Sequence, residues 1–390
     1  MPHTALKWLP AIVVPAVIIA GVIAVPLQAG AAVDLPDKTP EQILLMVNDS
    51  TVKSFSGSVE QSSDIGLPSL NLSTGMSDSM TKSMSDAAPK GMSELVPGAA
   101  STGAVTAALE LLTGTHKARV YVDGPSNARV QILDRMAERD FIVNGTDAWS
   151  YNSRTNKASH AAIPADLTST LKDKAAALKA LAPTDLSTPA QVAERFLADV
   201  DPSTTVSVGK DGSVAGRTAY ELVLTPKVSD TLVKSVTISV DSETGLPLRV
   251  TVAAAGQEAP AFDMAFTSID LTAPSADRFA FTPPSGATVT EVPVPTAADI
   301  EKMKSESGQR SFMGDVPVVT GTGWNSVAQI SAASVPAELS ASPLFTQLTT
   351  EVAGGRALTT SLVTVFLATD GRVFVGAVPL ERLQAAAAAQ

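Results

Sequence analysis

Residues 117–132 read Lys117-Ala-Arg-Val-Tyr-Val-Asp-Gly-Pro-Ser-Asn-Ala-Arg-Val-Gln-Ile132. Ala118, Val120 and Val122 alternate with Lys117, Arg119 and Tyr121, and Ala128, Val130 and Ile132 alternate with Arg129 and Gln131. A period of two is that of a β-strand, because successive side chains leave opposite faces of the pleat. Asp123-Gly124-Pro125-Ser126 supplies the turn between the two runs, so the stretch predicts a hairpin with one apolar face. The pattern recurs on both sides of it. Phe55, Gly57 and Val59 alternate with Ser56, Ser58 and Glu60, and Phe141–Val143 and Trp149–Tyr151 flank the turn pair Asn144-Gly145. Further along come Tyr220, Leu222 and Leu224, then Val236, Ile238 and Val240. Leu248, Val250 and Val252 follow the Asp241–Gly245 turn, and Phe262, Met264 and Phe266 complete the series. An antiparallel meander, apolar on one side across many strands, is the predicted core of the chain.

Such a sheet must be covered, and helical segments offer the cover. Thr39-Pro40 places a cap residue before a first-turn proline, with Ile43, Leu44 and Val47 at helical spacing. Residues 104–113, 166–181 and 188–200 read as further helices, the last begun by Thr188-Pro189 and carrying Val192, Phe196, Leu197 and Val200. Residues 66–104, rich in Ser, Gly, Met, Ala and Pro without an aromatic residue, read as a disordered insertion. The Pro-rich run 283–295 and the polar segment to 311 mark a boundary, with 293–311 as the linker. Beyond it, residues 312–390 predict a small α+β unit. It has strands near 316–320 and after Trp324, a helix begun by Ser342-Pro343, a hairpin about Asp370-Gly371, and a frayed Ala-rich helix at 385–389.

With 390 residues the chain can bury a sizeable core. Its 28 basic and 39 acidic residues leave a net charge of −11, which repels phosphate backbones, so nucleic acid is excluded as a partner. Cysteine is absent, which removes disulfides, thiolate metal sites and cysteine nucleophiles together. Residues 1–31 read as an export segment. Lys7 precedes an uncharged apolar run, and Ala29-Gly30-Ala31 suits signal-peptidase cleavage, although the run is also long enough for a retained anchor. In either case the folded part lies outside the cytoplasmic membrane, secreted or attached to its outer face.

Chemistry is sparse. Three histidines are present, His3, His116 and His160, and neither of the two beyond the export segment sits in a metal or protease motif, so exposed structural roles are expected. No G-x-S-x-G elbow, P-loop or G-x-G-x-x-G fingerprint occurs. The pairs Glu138/Asp140 and Asp241/Glu243 read as solvated surface. Met76, Met80 and Met84 would form a soft stripe on a helix, able to touch lipid, a partner or Cu(I), but their Ser- and Gly-rich setting favours a loop. No catalytic, metal or cofactor site is expected.

The inner face of the predicted sheet offers Val, Ala and Leu with few aromatics, and aromatic residues are only 4% of the chain. That leaves either a packed core or a hollow that a hydrophobic ligand can occupy. Specific phrases bear on the choice. Phe55-Ser-Gly-Ser-Val-Glu-Gln61, Ile142-Val-Asn-Gly-Thr-Asp-Ala-Trp-Ser-Tyr151, Gly216-Arg-Thr-Ala-Tyr-Glu-Leu-Val-Leu-Thr-Pro226 and Val240-Asp-Ser-Glu-Thr-Gly-Leu-Pro-Leu-Arg249 resemble the LolA/LppX superfamily of extracytoplasmic lipoprotein and lipid carriers, in an actinobacterial-type form. The resemblance covers about residues 33–292. It implies an α+β fold in which an incomplete antiparallel β-barrel, a strongly curved sheet, is closed by helices and holds acyl chains in its interior. The two-domain layout is also similar to that of the RseB-type periplasmic regulators.

The sequence therefore supports an exported, non-enzymatic carrier or binding protein for lipid or lipoprotein acyl chains. The alternative is an RseB-like envelope sensor that binds an anti-sigma factor or another membrane signalling protein, and a scaffold with a filled core is a third reading. From the alternation, the ligand-facing residues are Val120, Val122, Val130, Ile132, Tyr220, Leu222, Leu224, Val236, Ile238, Val250, Phe262, Met264 and Phe266. A register error of one residue would turn any strand's set to the other face.

Overall fold

The computed structural model describes residues 33–67, 113–134, 136–164, 203–294, 318–332 and 343–389. The export segment, nearly all of the 66–104 insertion, the expected helices at 104–113, 166–181 and 188–200, and most of the linker lie outside these residues. Among the described residues β-structure dominates.

The first element is a helix, α1 (Pro40–Asn48), and its start is written locally. Thr39 accepts from the Gln42 amide while the Gln42 side chain accepts from the Thr39 amide, a reciprocal capping box with Pro40 at the first position. The strands then run β1 (Ser54–Ser63), β2 (Gly114–Asp123), β3 (Asn127–Asp134), β4 (Ala137–Asn144), β5 (Asp147–Asn152) and β6 (Lys157–Ala162). After residue 202 come β7 (Thr204–Val208), β8 (Gly212–Val214), β9 (Arg217–Pro226), β10 (Val233–Asp241), β11 (Pro247–Ala254), β12 (Phe262–Asp270) and β13 (Thr288–Glu291). These build one 13-stranded sheet in the order β13-β6-β5-β4-β3-β2-β1-β12-β11-β10-β9-β7, with β8 also on β9. The order is open at both ends, so the sheet is curved but not closed into a barrel. Register shifts at Ser58/Val59 in the β1–β12 pair and at Ser239/Val240 in the β10–β11 pair add local twist.

Every hairpin read from alternation is present, and three features differ from expectation. The strands β6, β7 and β8 carry too few large apolar residues to announce themselves. The sheet is not wholly antiparallel, because β13 adds to β6 in parallel, with Glu291 opposite His160. That makes the Pro-rich run more than a boundary, since its Thr288–Glu291 segment is an edge strand of the main sheet. Of the four expected covering helices, α1 is described, and it packs Ile43 against Tyr220, Leu222 and Val240.

A second sheet of six strands follows: β14 (Val318–Thr320), β15 (Val327–Ile330), β16 (Thr350–Val352), β17 (Gly355–Thr359), β18 (Thr364–Ala368) and β19 (Val373–Gly376), ordered β14-β15-β19-β18-β17-β16. Short α2 (Pro343–Leu348) precedes β16, and α3 (Leu380–Ala388) ends the chain. The Ala-rich terminus is a docked helix and not a frayed one. Leu383 is fully buried in a cluster with Val327, Ala357, Phe366, Phe374 and Val378, which supplies the tertiary packing that a short helix needs.

The two sheets share a core. Trp324 and Leu362 of the smaller sheet's connections pack with Val233, Val252, Ala254, Ala261 and Phe262 of the larger. Polar contacts ring this cluster: the Trp324 indole Nε1 donates to Thr204 Oγ1 at 2.7 Å, the Leu232 amide donates to Ala377 O at 2.8 Å, and the Ser361 amide donates to Ile65 O at 2.9 Å. Arg382 reaches Asp230 across the same boundary at 3.3 Å.

Truncating Leu383 to Ala should leave a cavity beneath α3 and cost about 2–5 kcal/mol of stability. Urea unfolding monitored by circular dichroism measures this, and an unchanged midpoint would mean that α3 is not held by that contact.

Candidate functional site

The pairing registers place all thirteen expected residues on one face of the larger sheet. Leu222 stands opposite Ile238, which stands opposite Val250, which stands opposite Met264. Tyr220 pairs with Val240, and Leu224 with Val236, Val252 and then Phe262. Across the β12–β1 seam, Phe266 pairs with Val59, Val59 with Ala118, and Ala118 with Ile132. One row further, Gly57 pairs with Val120 and Val120 with Val130; then Phe55 pairs with Val122. The face is continuous through nearly the whole sheet.

Its cover is not. Tyr220, Leu222, Leu224 and Ile238 lie in the cluster under α1. Val236, Phe262 and Met264 lie in the cluster that receives Trp324 and Leu362. Those seven are accounted for as core. Val250 and Ile132 are buried, whereas Val120, Val122, Val130 and Phe266 are half-buried. Phe141, opposite Val130 on β4, belongs to the same face and is 49% exposed. Val143, opposite Ala128, extends it. Neither is legible from periodicity, because Phe141-Ile142-Val143 is an unbroken apolar run, in which alternation cannot say which residues share a face.

The middle of this face is shaped by one missing side chain. Phe266 projects from β12 over Gly57 of β1 and meets Phe55 edge to face, with ring centroids 5.8 Å apart. A Cβ on Gly57 would lie 2.5 Å from the Ser268 carbonyl oxygen and 2.8 Å from the Phe266 ring. Glycine is the residue that admits both.

The opposite face carries charge, arranged as three diagonal cross-strand pairs. Arg129 holds Asp140 through two bonds of 2.9 and 3.1 Å, Arg217 holds Asp241 at 2.7 Å, and Arg249 holds Asp263 at 2.7 Å. All three aspartates are buried. The expectation of solvated carboxylates at Asp140 and Asp241 is thus corrected: each has been drawn under its sheet by an arginine two residues out of register. Glu138 instead accepts from Gln131 at 2.9 Å, and Glu243 shares Arg217 with Asp241.

The histidines are also more engaged than expected. His116 Nε2 lies 2.8 Å from Thr113 O. His160 stacks on Trp149 with ring centroids 4.2 Å apart, and its two nitrogens face the carboxylates of Asp147 and Glu291. Among the described residues no group of three or more His, Asp or Glu is placed to hold a metal ion. An open cleft of about 680 Å³ lies beside the Gly354-Gly355 turn and Arg356, and one of about 420 Å³ lies between Lys38, Lys210 and Tyr220. Burial pushes the Tyr220 hydroxyl pKa up, with Asp211 and Asp37 adding to the effect, and the neutral hydroxyl donates to Pro36 O. No helix among the described residues is long and apolar enough to cross a membrane.

The model of the family described as "Predicted periplasmic protein (DUF2092)" matches residues 81–292, and the chain belongs to that family. The protein is accordingly extracytoplasmic, as its amino-terminal segment led us to expect. No curated protein matches the chain. Similar solved structures include the MucA/MucB complex of Pseudomonas aeruginosa, at 14% identity over 89% of this chain and 96% of that one, with a TM-score of 0.38. A LolA superfamily protein from Nitrosomonas europaea is 11% identical over 63% of this chain and 99% of its own, with a TM-score of 0.22. An uncharacterized conserved protein from Thermus thermophilus is 11% identical over 64% and 98%, with a TM-score of 0.32.

Gly57→Ala should force Phe266 and the Ser268 carbonyl apart and cost about 1–3 kcal/mol. Chemical denaturation of the variant is the check, and wild-type stability would show that the β1–β12 seam yields without cost.

Proposed function

We propose that this protein is a non-enzymatic extracytoplasmic carrier or binding protein that holds acyl chains of lipids or lipoproteins against the apolar face of its large sheet. The observation that supports the reading is the division of that face. Under β9–β12 it is spent on α1 and on Trp324 and Leu362; from β1 to β4 it presents Val120, Val122, Val130 and a half-exposed Phe141. An aligned set of aliphatic and aromatic side chains on one side of a sheet suits a flexible hydrocarbon, which needs contact area and no directional bond. The resemblance of the strand and turn phrases to the lipoprotein and lipid carriers points to the same class of ligand.

Native mass spectrometry of the full-length protein, released gently from an envelope fraction and followed by lipid extraction, tests the reading. A stoichiometric acylated adduct is the expected result; a bare protein that also refuses a fluorescent fatty acid would overturn it. Phe141→Asp places a charge on the exposed part of the face. Burying one phenylalanine contributes about 1.5–3 kcal/mol, so the probe should bind roughly tenfold or more weakly. Arg119→Glu, which adds a carboxylate on the opposite face, should leave binding unchanged. Equal affinity in the Phe141 variant would remove β4 from the site.

A further inference from the structure

We propose that His160 is a pH-operated latch that fastens the parallel edge strand β13 to the large sheet when its imidazole is charged and loosens it when the ring is neutral. The warrant is the geometry at the two ring nitrogens. Nδ1 lies 2.8 Å from Glu291 Oε2, and Nε2 lies 3.1 Å from Asp147 Oδ1. Ionised carboxylates only accept hydrogen bonds, and a neutral imidazole has a single N–H to give. Both contacts are satisfied together only by the imidazolium, which donates from both nitrogens. In either neutral tautomer a nitrogen lone pair faces a carboxylate oxygen, and one contact becomes repulsive.

The surroundings favour the cation further. His160 lies over the Trp149 ring at 4.2 Å and 24° between planes, where the π face attracts positive charge. Phe281, from the connection between β12 and β13, closes on Trp149 at 5.3 Å. Among the described residues the charged groups that bond the imidazole are Asp147 on β5 and Glu291 on β13, and both are acidic. Burial works against protonation, but the hydrogen bonds and charges of Asp147 and Glu291 outweigh it and lift the pKa above the ordinary histidine value.

What the latch holds is otherwise weakly held. All four residues of β13 are exposed, Val289 included, so the strand buries little apolar surface. Among the described residues its attachments are a short parallel ladder with β6, flanked by the Thr288 amide donating to Asn156 O at 3.0 Å and the Val292 amide donating to the His160 carbonyl at 2.7 Å, and the Glu291–His160 contact in register with them. The same residue therefore bonds β13 through both backbone and side chain. Because docking raises the pKa, the latch contributes its full stability below the unfolded value of about 6.5 and loses it as the pH rises through the folded value. Release of β13 would free the edge of β6, and with it the outer end of the connection that carries Phe279 and Phe281 across the charged face.

Nitrogen NMR of the full-length protein, labelled at histidine, reports whether both His160 nitrogens are protonated, and amide exchange corrected for intrinsic rate reports the docking of residues 288–292 over the same pH series. The expected result is a doubly protonated ring at pH 6 and protection of 288–292 that falls as the ring titrates, about tenfold for each pH unit by which docking raises the pKa. His160→Gln and Glu291→Gln should remove that pH dependence while leaving the exchange of β9–β12 unchanged. A singly protonated ring at pH 6, protection that stays flat through the titration, or an unaltered pH profile in His160→Gln would each overturn the proposal.

Discussion

The seam between β1 and β12 is the constraint on which the larger sheet depends. It joins strands about 200 residues apart in sequence, and it unites a meander that begins at β1 with one that ends at β12. Because side chains alternate on a pleat, a slip of one residue at this seam would turn the apolar set of one half to the opposite side from the other. The pairing of Val59 with Phe266 keeps them in phase, and the shift at Ser58/Val59 absorbs the extra residue on β12. Gly57 allows the Phe266 ring to cross the seam and touch Phe55, so the join is packed as well as hydrogen-bonded.

Polarity on the other face reinforces that register. Asp140, Asp241 and Asp263 are each met diagonally by an arginine from the neighbouring strand, at β3–β4, β9–β10 and β11–β12. A carboxylate taken from water without its partner is costly, so each pair penalises alternative alignments more than it stabilises the chosen one. Strand pairing is thus set twice, by apolar matching on one side and by charge matching on the other. The consequence is that the apolar side is committed to a single surface running from strand to strand.

Among the described residues, cover is distributed unevenly along that surface. α1 seals the β9–β10 end, and the smaller sheet plants Trp324 and Leu362 near Phe262, where indole, threonine and backbone groups satisfy one another around the apolar contact. The strap from β12 to β13 crosses the charged side instead, where Arg129 donates to the Arg278 carbonyl at 3.2 Å and Phe281 meets Trp149 and Tyr151. The carrier reading and the latch at His160 therefore concern opposite faces of one sheet.

Local periodicity and turn chemistry were written in the chain itself: the hairpins at 117–132 and 141–151, the Thr39-Pro40 helix start, the Asp241–Gly245 turn, and the side of its own strand on which each of the thirteen apolar residues lies could all be read there, because each depends on neighbours within a few residues. What the tertiary structure decided was partnership. Alternation cannot show that Leu222 is spent beneath α1 while Phe141 is left half-exposed, that Asp140 is clamped by an arginine instead of solvated, or that Leu383 turns an Ala-rich tail into a docked helix. Nor can it show that His160 sits between carboxylates from β5 and β13, one of them 131 residues away. Periodicity assigns a residue to a side of its own strand; the energy of that position comes from groups brought there by the fold, and those are specified only when distant segments pair.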